Sequence, residues 1–323
     1  MSTGGRLGGD GPRDRTLDLD GIPHAELRRR ATTALSPRRI LELHARPGVD
    51  ERVLDRLERG GRPGDLVTAL AHPLATGIVC ELLGVPKTDQ PKLSAWSAAI
   101  TSVTSHSREA VADVYAEVGT YLLESLAVKR KRPGGDLISR WLGARNDSER
   151  LTDTEIVHLS LAVLVAGHET TVNAIGSGVW RLFQEPEALA ALRADPDLLP
   201  GAVDELLRFQ PQGATFRMLV AREDVVIRAG EGVMPLPFIA NRDPRRFTDP
   251  DRFDIRRTGN RHIAFGHGPH ACFGAVLART ELEVALGTLL RRFPGLRPAQ
   301  PPESLPCRMG QLMGALLTLP VTW

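Results

Sequence analysis

The sequence predicts a mainly α-helical fold, and three observations support this fold class. Apolar residues recur at three-and-four spacing through most of the chain between residues 24 and 292. The β-like runs are few and short, and Gly and Pro interrupt them. The 323 residues are 42% hydrophobic and 25% charged, an ordinary globular composition in a chain long enough to form a large core.

In chain order, the first predicted element is a flexible lead. Residues 1–20 are rich in Gly, Asp and Arg, and such sequence buries too little apolar surface to offset the entropy lost on ordering. Residues 21–323 then form a single predicted domain. Helical periodicity covers residues 24–43, 50–59, 65–84, 107–128, 152–184, 186–193, 200–209 and 272–292, and the β-like runs cover residues 216–227, 232–240 and 313–321.

The longest predicted helix, residues 152–184, has an informative interruption. Thr152 and Glu155 form a capping-box pattern at its start, and the residues that follow are apolar on almost every side, which is typical of a helix in the middle of a domain. Gly167 costs such a helix about 1 kcal/mol relative to Ala. The polar residues 168–171 follow directly. Because buried polar groups need partners or a function, this run is a candidate site.

Charge and cysteine usage exclude several functional classes. The formal net charge is only +2 and the basic residues are mostly Arg spread along the chain, so we expect no nucleic-acid partner. The basic run 129–132 is interpreted as a solvated loop.

Cys80, Cys272 and Cys307 stand at unrelated spacings, which favours a cytoplasmic protein over a disulfide framework. No run has the length and hydrophobicity of a signal peptide or a membrane span, so we expect no membrane association.

The strongest chemical signal is the run FGHGPHACFG, residues 265–274, directly ahead of the last predicted helix. Gly266 and Gly268 permit a tight loop whose backbone amides turn toward one point. Cys272 is expected at the start of the helix, where the helix dipole and amide donors stabilise a thiolate. Two other interpretations are open: a buried structural cysteine, and a zinc site of Cys272 with His267 and His270, which lacks a fourth ligand.

This run resembles the heme-binding loop of the cytochromes P-450, in the form typical of soluble bacterial members. The resemblance implies that Cys272 is the axial ligand of the heme iron, and that Phe265, Gly266 and Gly274 help to bind the cofactor, heme b. A thiolate suits an oxygen-activating heme because its electron donation favours O–O cleavage. The family fold is a helical domain with a smaller β-rich part.

The run Ala166 to Thr171 resembles the oxygen-binding groove of the same family. The small residues Ala166 and Gly167 would leave room for the heme and dioxygen against the helix. Glu169 and Thr170 match the acid–alcohol pair that relays protons toward bound oxygen. Taken alone, the run is equally well explained as a polar interruption satisfied by local hydrogen bonds. A zinc-protease motif is excluded, because it requires His at the position of Val172.

Glu205 and Arg208, three residues apart on one predicted helix face, are in isolation a common surface pair. In the family the same pattern forms a buried network with a meander that precedes the cysteine loop. Residues 241–244 and 250–253 resemble that meander. The implied role is structural, because loss of one partner would leave a buried charge unpaired.

Four cations resemble the family's ligands for the heme propionates. His24 and Arg28 are four residues apart on the first predicted helix, Arg217 follows the helix of Glu205, and His270 precedes Cys272 by two residues. Each taken singly would be interpreted as a solvated surface cation. Their joint positions support the assignment.

The resemblance implies a monooxygenase that receives electrons from a ferredoxin and its reductase, or a similar donor, and inserts one oxygen atom of O2 into an apolar small molecule. The expected pocket residues are small or apolar: Ala162, Val165, Ala166, Ala214 and Leu312.

The resemblance begins near residue 19, where family members already have a preceding portion. We therefore expect an N-terminally shortened fold without the first helices, the leading hairpin and the pocket roof, and with a shortened hairpin over residues 223–232. Such a chain would expose the distal heme face to water and lose heme or activity more readily. The alternative functions are a catalytically impaired fragment and an auxiliary partner of another enzyme.

Overall fold

The computed structural model describes residues 19–32, 40, 49–102, 105–144, 150–212, 219–221, 223–224, 226–301, 304–308 and 315–323. The mainly α prediction is confirmed. The α-helices in this part of the chain are α1 (Gly21–Thr32), α2 (Val49–Arg59), α3 (His72–Leu83), α4 (Gln90–Ile100), α5 (Arg108–Lys131), α6 (Leu137–Leu142), α7 (Asp153–Gln184), α8 (Pro186–Ala194), α9 (Leu199–Phe209), α10 (Pro237–Ala240) and α11 (Ala275–Arg292).

Short segments complete the framework. A π-helix (Val67–Ala71) leads directly into α3, and 3-10 turns precede α4 (Lys87–Asp89) and α9 (Pro196–Leu198). The strands are β1 (Gly64–Asp65), β2 (Leu219–Val220), β3 (Gly232–Val233), β4 (Arg297–Pro298), β5 (Cys307–Arg308), β6 (Ala315–Leu316) and β7 (Pro320–Thr322). They pair antiparallel, in the order β1-β7-β4 and in the hairpins β2-β3 and β5-β6.

Helix α7 is the centre of the core, and it begins as the sequence predicts. The Thr152 side chain accepts from the Glu155 backbone N–H, and the Glu155 carboxylate accepts from the Thr152 N–H in return, so the capping box is confirmed. Helices α3, α4, α5 and α11 surround α7. Its buried residues lie on almost every side, which explains the nearly continuous apolar pattern.

Two glycines bring the π-helix and α3 close to α7. A methyl group added at Gly167 would lie 3.0 Å from Cγ2 of Val79, and one at Gly176 would lie 3.5 Å from Cγ2 of Val67. Packing against Val79 is therefore a reason for glycine at 167 that is separate from the predicted role beside the heme.

Several predicted boundaries are wrong. The predicted helix 65–84 is a strand, a π-helix and α3, and the β-like run 232–240 ends in the helix α10. Helices α4 and α6 were not predicted. Helix α11 begins at Ala275 rather than 272, so Cys272 lies in the turn before it. Of the predicted lead, residues 1–18 lie outside the described residues.

Candidate functional site: the cysteine loop and the central helix

The loop that presents Cys272 is formed by nested backbone turns. The Cys272 N–H donates to the Phe265 carbonyl (2.7 Å), and the Ala271 N–H donates to the Gly268 carbonyl (3.0 Å). Gly266 and Gly268 have φ angles of 73° and 80°, a left-handed conformation that side chains with a Cβ rarely adopt. The glycines are therefore requirements of the loop itself, as the sequence pattern predicts.

The Cys272 side chain keeps an exposed face, although protein surrounds the sulfur on its other sides. Desolvation raises the pKa of the Cys272 thiol, while a backbone hydrogen bond from Gly274 and the charges of Arg28 and Arg279 lower it. Desolvation is the larger influence, so the loop alone does not produce the stabilised thiolate that the sequence predicts. Coordination to a metal ion deprotonates a thiol outright.

Helix α1 brings two of the four predicted propionate ligands, His24 and Arg28, to this loop, which itself carries a third, His270. Arg28 donates through Nη1 to the Pro269 carbonyl (2.8 Å) and through Nη2 to the Ala271 carbonyl. The His24 ring stacks on the His270 ring, with centroids 4.0 Å apart. Arg217, the fourth predicted ligand, lies outside the described residues.

Asp20 joins this cluster and was not predicted. Its Oδ1 lies 2.9 Å from Nε2 of His270. Residue 20 belongs to the predicted flexible lead, whose Gly-rich, charged composition gave no indication of a contact with a residue 250 positions away. Its position four residues before His24, one helical turn away, is the only signal in the sequence that could have indicated it.

The polar run of α7 divides between two environments. Ala166 is exposed in the middle of the helix, although Leu164 and His168 on either side are buried. The Thr170 hydroxyl donates to the Ala166 carbonyl (2.5 Å), so Thr170 lies one turn along the same face. Glu169 is only 3% exposed. The face at Ala166 and Thr170 is therefore open, whereas the acid of the predicted pair is buried.

The donor set fits a heme. The exposed thiol of Cys272 provides one soft axial ligand, and His24, Arg28 and His270 bring cationic or hydrogen-bonding groups beside it. Ala166, exposed between the buried residues Leu164 and His168, provides a small side chain where a flat group needs room. Within the described residues, no group of three His, Cys, Asp or Glu side chains could hold a metal ion, so the zinc interpretation finds no support there.

Glu205 and Arg208 are fully buried and tie α9 to the segment before the cysteine loop. Nε and Nη2 of Arg208 each donate to the Glu205 carboxylate at 2.8 Å, and Nη1 donates to the carbonyls of Asn241 and Pro250, both at 2.8 Å. Glu205 also accepts from the Asp254 N–H (2.9 Å). The pair lies in a network in which each charge is compensated, as a buried ion pair requires.

A second cluster, not predicted, contacts the loop at Phe265. The Arg279 guanidinium is 4.6 Å above the Phe265 ring, and its Nε donates to Oδ1 of Asp204 (2.7 Å). His262 contacts the same oxygen at 3.3 Å. Burial opposes ionisation of Asp204, but hydrogen bonds from His262 and Arg279 hold its pKa below the ordinary value. Arg279 is seven residues after Cys272, and this spacing alone gave no signal.

The fold and this site define a class: a helical protein whose exposed cysteine loop fits a heme. The sequence profile of the cytochrome P-450 family matches residues 93–320, and the chain belongs to that family. It is 43% identical to nocardicin C N-oxygenase of Nocardia uniformis over 97% of this chain and 80% of the relative. It is 38% identical to mycinamicin IV hydroxylase/epoxidase of Micromonospora griseorubida over 95% and 79%.

The solved structures agree with the sequence relatives. The LnmA cytochrome P-450 hydroxylase of the leinamycin pathway in Streptomyces atroolivaceus superposes with a TM-score of 0.91 at 42% identity, covering 98% of this chain and 84% of that one. The protein is therefore a cytochrome P-450 monooxygenase of bacterial secondary metabolism, a family that uses heme, O2 and an electron-transfer partner. Among the described helices, none has the length and hydrophobicity needed to cross a bilayer.

Proposed function

We propose that this enzyme uses heme b to insert one oxygen atom of O2 into an apolar small molecule, with electrons supplied by a ferredoxin and its reductase. The observation that carries the proposal is the exposed thiol of Cys272 in a loop whose turns require glycine at 266 and 268. The relatives named for oxygenating nocardicin C and mycinamicin IV support a small-molecule substrate. Heme, when bound, supplies the activation of O2.

The proximal residues hold the cofactor in this proposal. Cys272 provides the thiolate, and the Gly274 N–H donates to its sulfur, which moderates the charge on it. Phe265 fixes the loop through its carbonyl, which accepts from the Cys272 N–H, and Gly266 fixes it through its N–H, which donates to the Ile263 carbonyl. The propionate carboxylates would be bound by His24, Arg28, Arg217 and His270.

The distal residues leave space and move protons. Ala166 and Gly167 keep bulk away from the open face of α7, and the Thr170 hydroxyl lies on that face. Glu169 would donate protons, and the Thr170 hydroxyl would help to pass them to the open face of α7. Ala162 and Val165 are partly exposed on α7 and would contact an apolar substrate, while Ala214 and Leu312 lie outside the described residues. The free cysteines Cys80 and Cys272 accord with a cytoplasmic enzyme.

The test is an oxygen-incorporation experiment. A panel of apolar small molecules is titrated against the heme-loaded protein, and those that shift the Soret band are incubated with NADPH, a ferredoxin and its reductase under heavy-isotope O2. We expect a product that contains one heavy oxygen atom, and much less of it from Thr170→Val. A heme-loaded protein that binds such molecules but incorporates no labelled oxygen would contradict the proposal and favour an auxiliary role.

A further inference from the structure

Three titratable side chains meet where α3 and the central helix α7 come together: His72, His168 and Glu169. Nε2 of His168 lies 3.4 Å from Nδ1 of His72. Nδ1 of His168 lies 3.6 Å from Oε1 of Glu169. The His168 imidazole therefore lies between the other two groups and turns one ring nitrogen to each.

The exposure of the three side chains changes along this line. Glu169 is 3% exposed and His168 is 1% exposed, whereas His72 is half-buried. His72 is the first residue of α3, directly after the π-helix, and Val79 two turns later packs against Gly167. The close approach of the two helices thus holds the two imidazoles together and leaves His72 as the member nearest to solvent.

An imidazole can accept a proton at one nitrogen while it releases one from the other, so a row of two imidazoles can conduct protons. The 3.4 Å between the two imidazoles is a long hydrogen-bond distance, and the 3.6 Å between His168 and Glu169 is just beyond hydrogen-bond distance. Contacts of this kind commonly shorten when the reacting complex forms. A metal interpretation finds no support, because no metal-binding group of three such side chains occurs among the described residues.

We propose that His72 and His168 form a relay that supplies protons from solvent to Glu169. The inference rests on the proposed role of Glu169 as the acid beside the oxygen site. In one transfer, a solvent hydronium protonates Nε2 of His72, the Nδ1 proton of His72 passes to Nε2 of His168, and the Nδ1 proton of His168 passes to the Glu169 carboxylate. One proton enters, one reaches Glu169, and both rings end neutral. His72 and His168 are positioning residues that act through Glu169.

The kinetic test uses His72→Gln and His168→Gln in the full-length, heme-loaded protein. Glutamine can still form a hydrogen bond, but it cannot, as an imidazole does, accept a proton at one ring nitrogen and release one from the other. If the histidines had only a structural role, the glutamine variants would keep the parent rate. We expect NADPH oxidation under O2, with ferredoxin and reductase, to slow by about tenfold and its solvent-deuterium isotope effect to rise. His106→Gln, which removes an exposed histidine, should change neither value.

A second measurement does not depend on turnover. In NMR spectra of isotopically labelled histidine, we expect Glu169→Gln to shift the ring signals of His168 and, through it, those of His72. The relay is wrong if Glu169→Gln moves neither ring, or if both glutamine variants keep the parent rate and isotope effect. A parent protein without the far-red-shifted Soret band of its reduced carbon monoxide complex would instead refute the heme-thiolate function, and the NMR result alone would then decide whether the relay exists.

Discussion

The loop of Cys272 and the polar run of α7 face the same predicted cofactor, but they are built differently. The turns of the loop are local, because their backbone–backbone hydrogen bonds join residues less than ten positions apart, such as Phe265 and Cys272. The polar run depends on a distant segment, because His168 contacts His72 across 96 positions. The residues that a local structure requires stand close together in the sequence and form a recognisable pattern. A contact between distant helices produces no such pattern.

The largest expected effect concerns the buried support of the loop. Arg208→Ala removes the partner of Glu205, both of which are fully buried, and should lower the free energy of unfolding by about 3–5 kcal/mol in urea denaturation. Arg245→Ala is the matched control, because Arg245 pairs with Asp243 while its side chain is 88% exposed. That exposed pair should contribute far less to stability, because solvent screens the attraction between its charges. Equal losses in the two variants would show that the buried network does not support the loop.

Glycine substitutions test the close approach on the α7 side. A methyl group at Gly167 would lie 3.0 Å from Cγ2 of Val79, so Gly167→Ala should destabilise the protein by about 1–3 kcal/mol in spite of the better helix propensity of Ala. Val79→Ala in the same chain should recover part of this loss. Gly119→Ala in α5 meets no atom within 4 Å and should instead stabilise by up to about 1 kcal/mol. Thermal unfolding of the four proteins measures these differences, and stabilisation by Gly167→Ala would contradict the packing argument.

The capping box gives a smaller effect at the start of α7. Thr152→Ala removes the acceptor of the Glu155 N–H (3.2 Å) and should cost about 1 kcal/mol in urea denaturation. Thr120→Ala is the control, because its hydroxyl only donates to the carbonyl of Ala116 on an exposed helix face. If the two variants lose equal stability, the cap contributes nothing specific.

The smallest expected effect is the pH dependence of the cluster at Asp204. The pKa of Asp204 is lowered in the folded protein, so its ionised form stabilises the fold above the ordinary aspartate pKa, and this stabilisation is lost as the pH falls through the lowered value. Because Asp204 is 35% exposed, solvent screening limits the contribution to less than about 1 kcal/mol. The stability difference between the parent and Asp204→Asn should shrink on acidification. A difference that grows toward low pH would have the wrong sign.

The sequence predicted the parts of the site that local patterns encode. The glycines of the cysteine loop and the capping box of α7 each follow from residues at most a few positions apart. The burial of Glu205 and Arg208 was predicted only from the family resemblance, because the local pattern alone indicates a surface pair. The missing parts are contacts between distant segments: Asp20 with His270, Asp204 with Arg279, and His72 with His168. Helix α4 was missed because its apolar residues show little periodicity, and helix α6 because it has only six residues.

The central claim is that Cys272 is the thiolate ligand of a heme. The most direct measurement is the absorption spectrum of the reduced protein with carbon monoxide, compared among the parent, Cys272→Ala and Cys80→Ala. Cys80 is a buried cysteine on α3 whose pKa is raised to about 12, so it is a matched control for the loss of a thiol. The account predicts a far-red-shifted Soret band in the parent and in Cys80→Ala, and its absence in Cys272→Ala. A shifted band that persists in Cys272→Ala, or a folded parent that binds no heme, would contradict it.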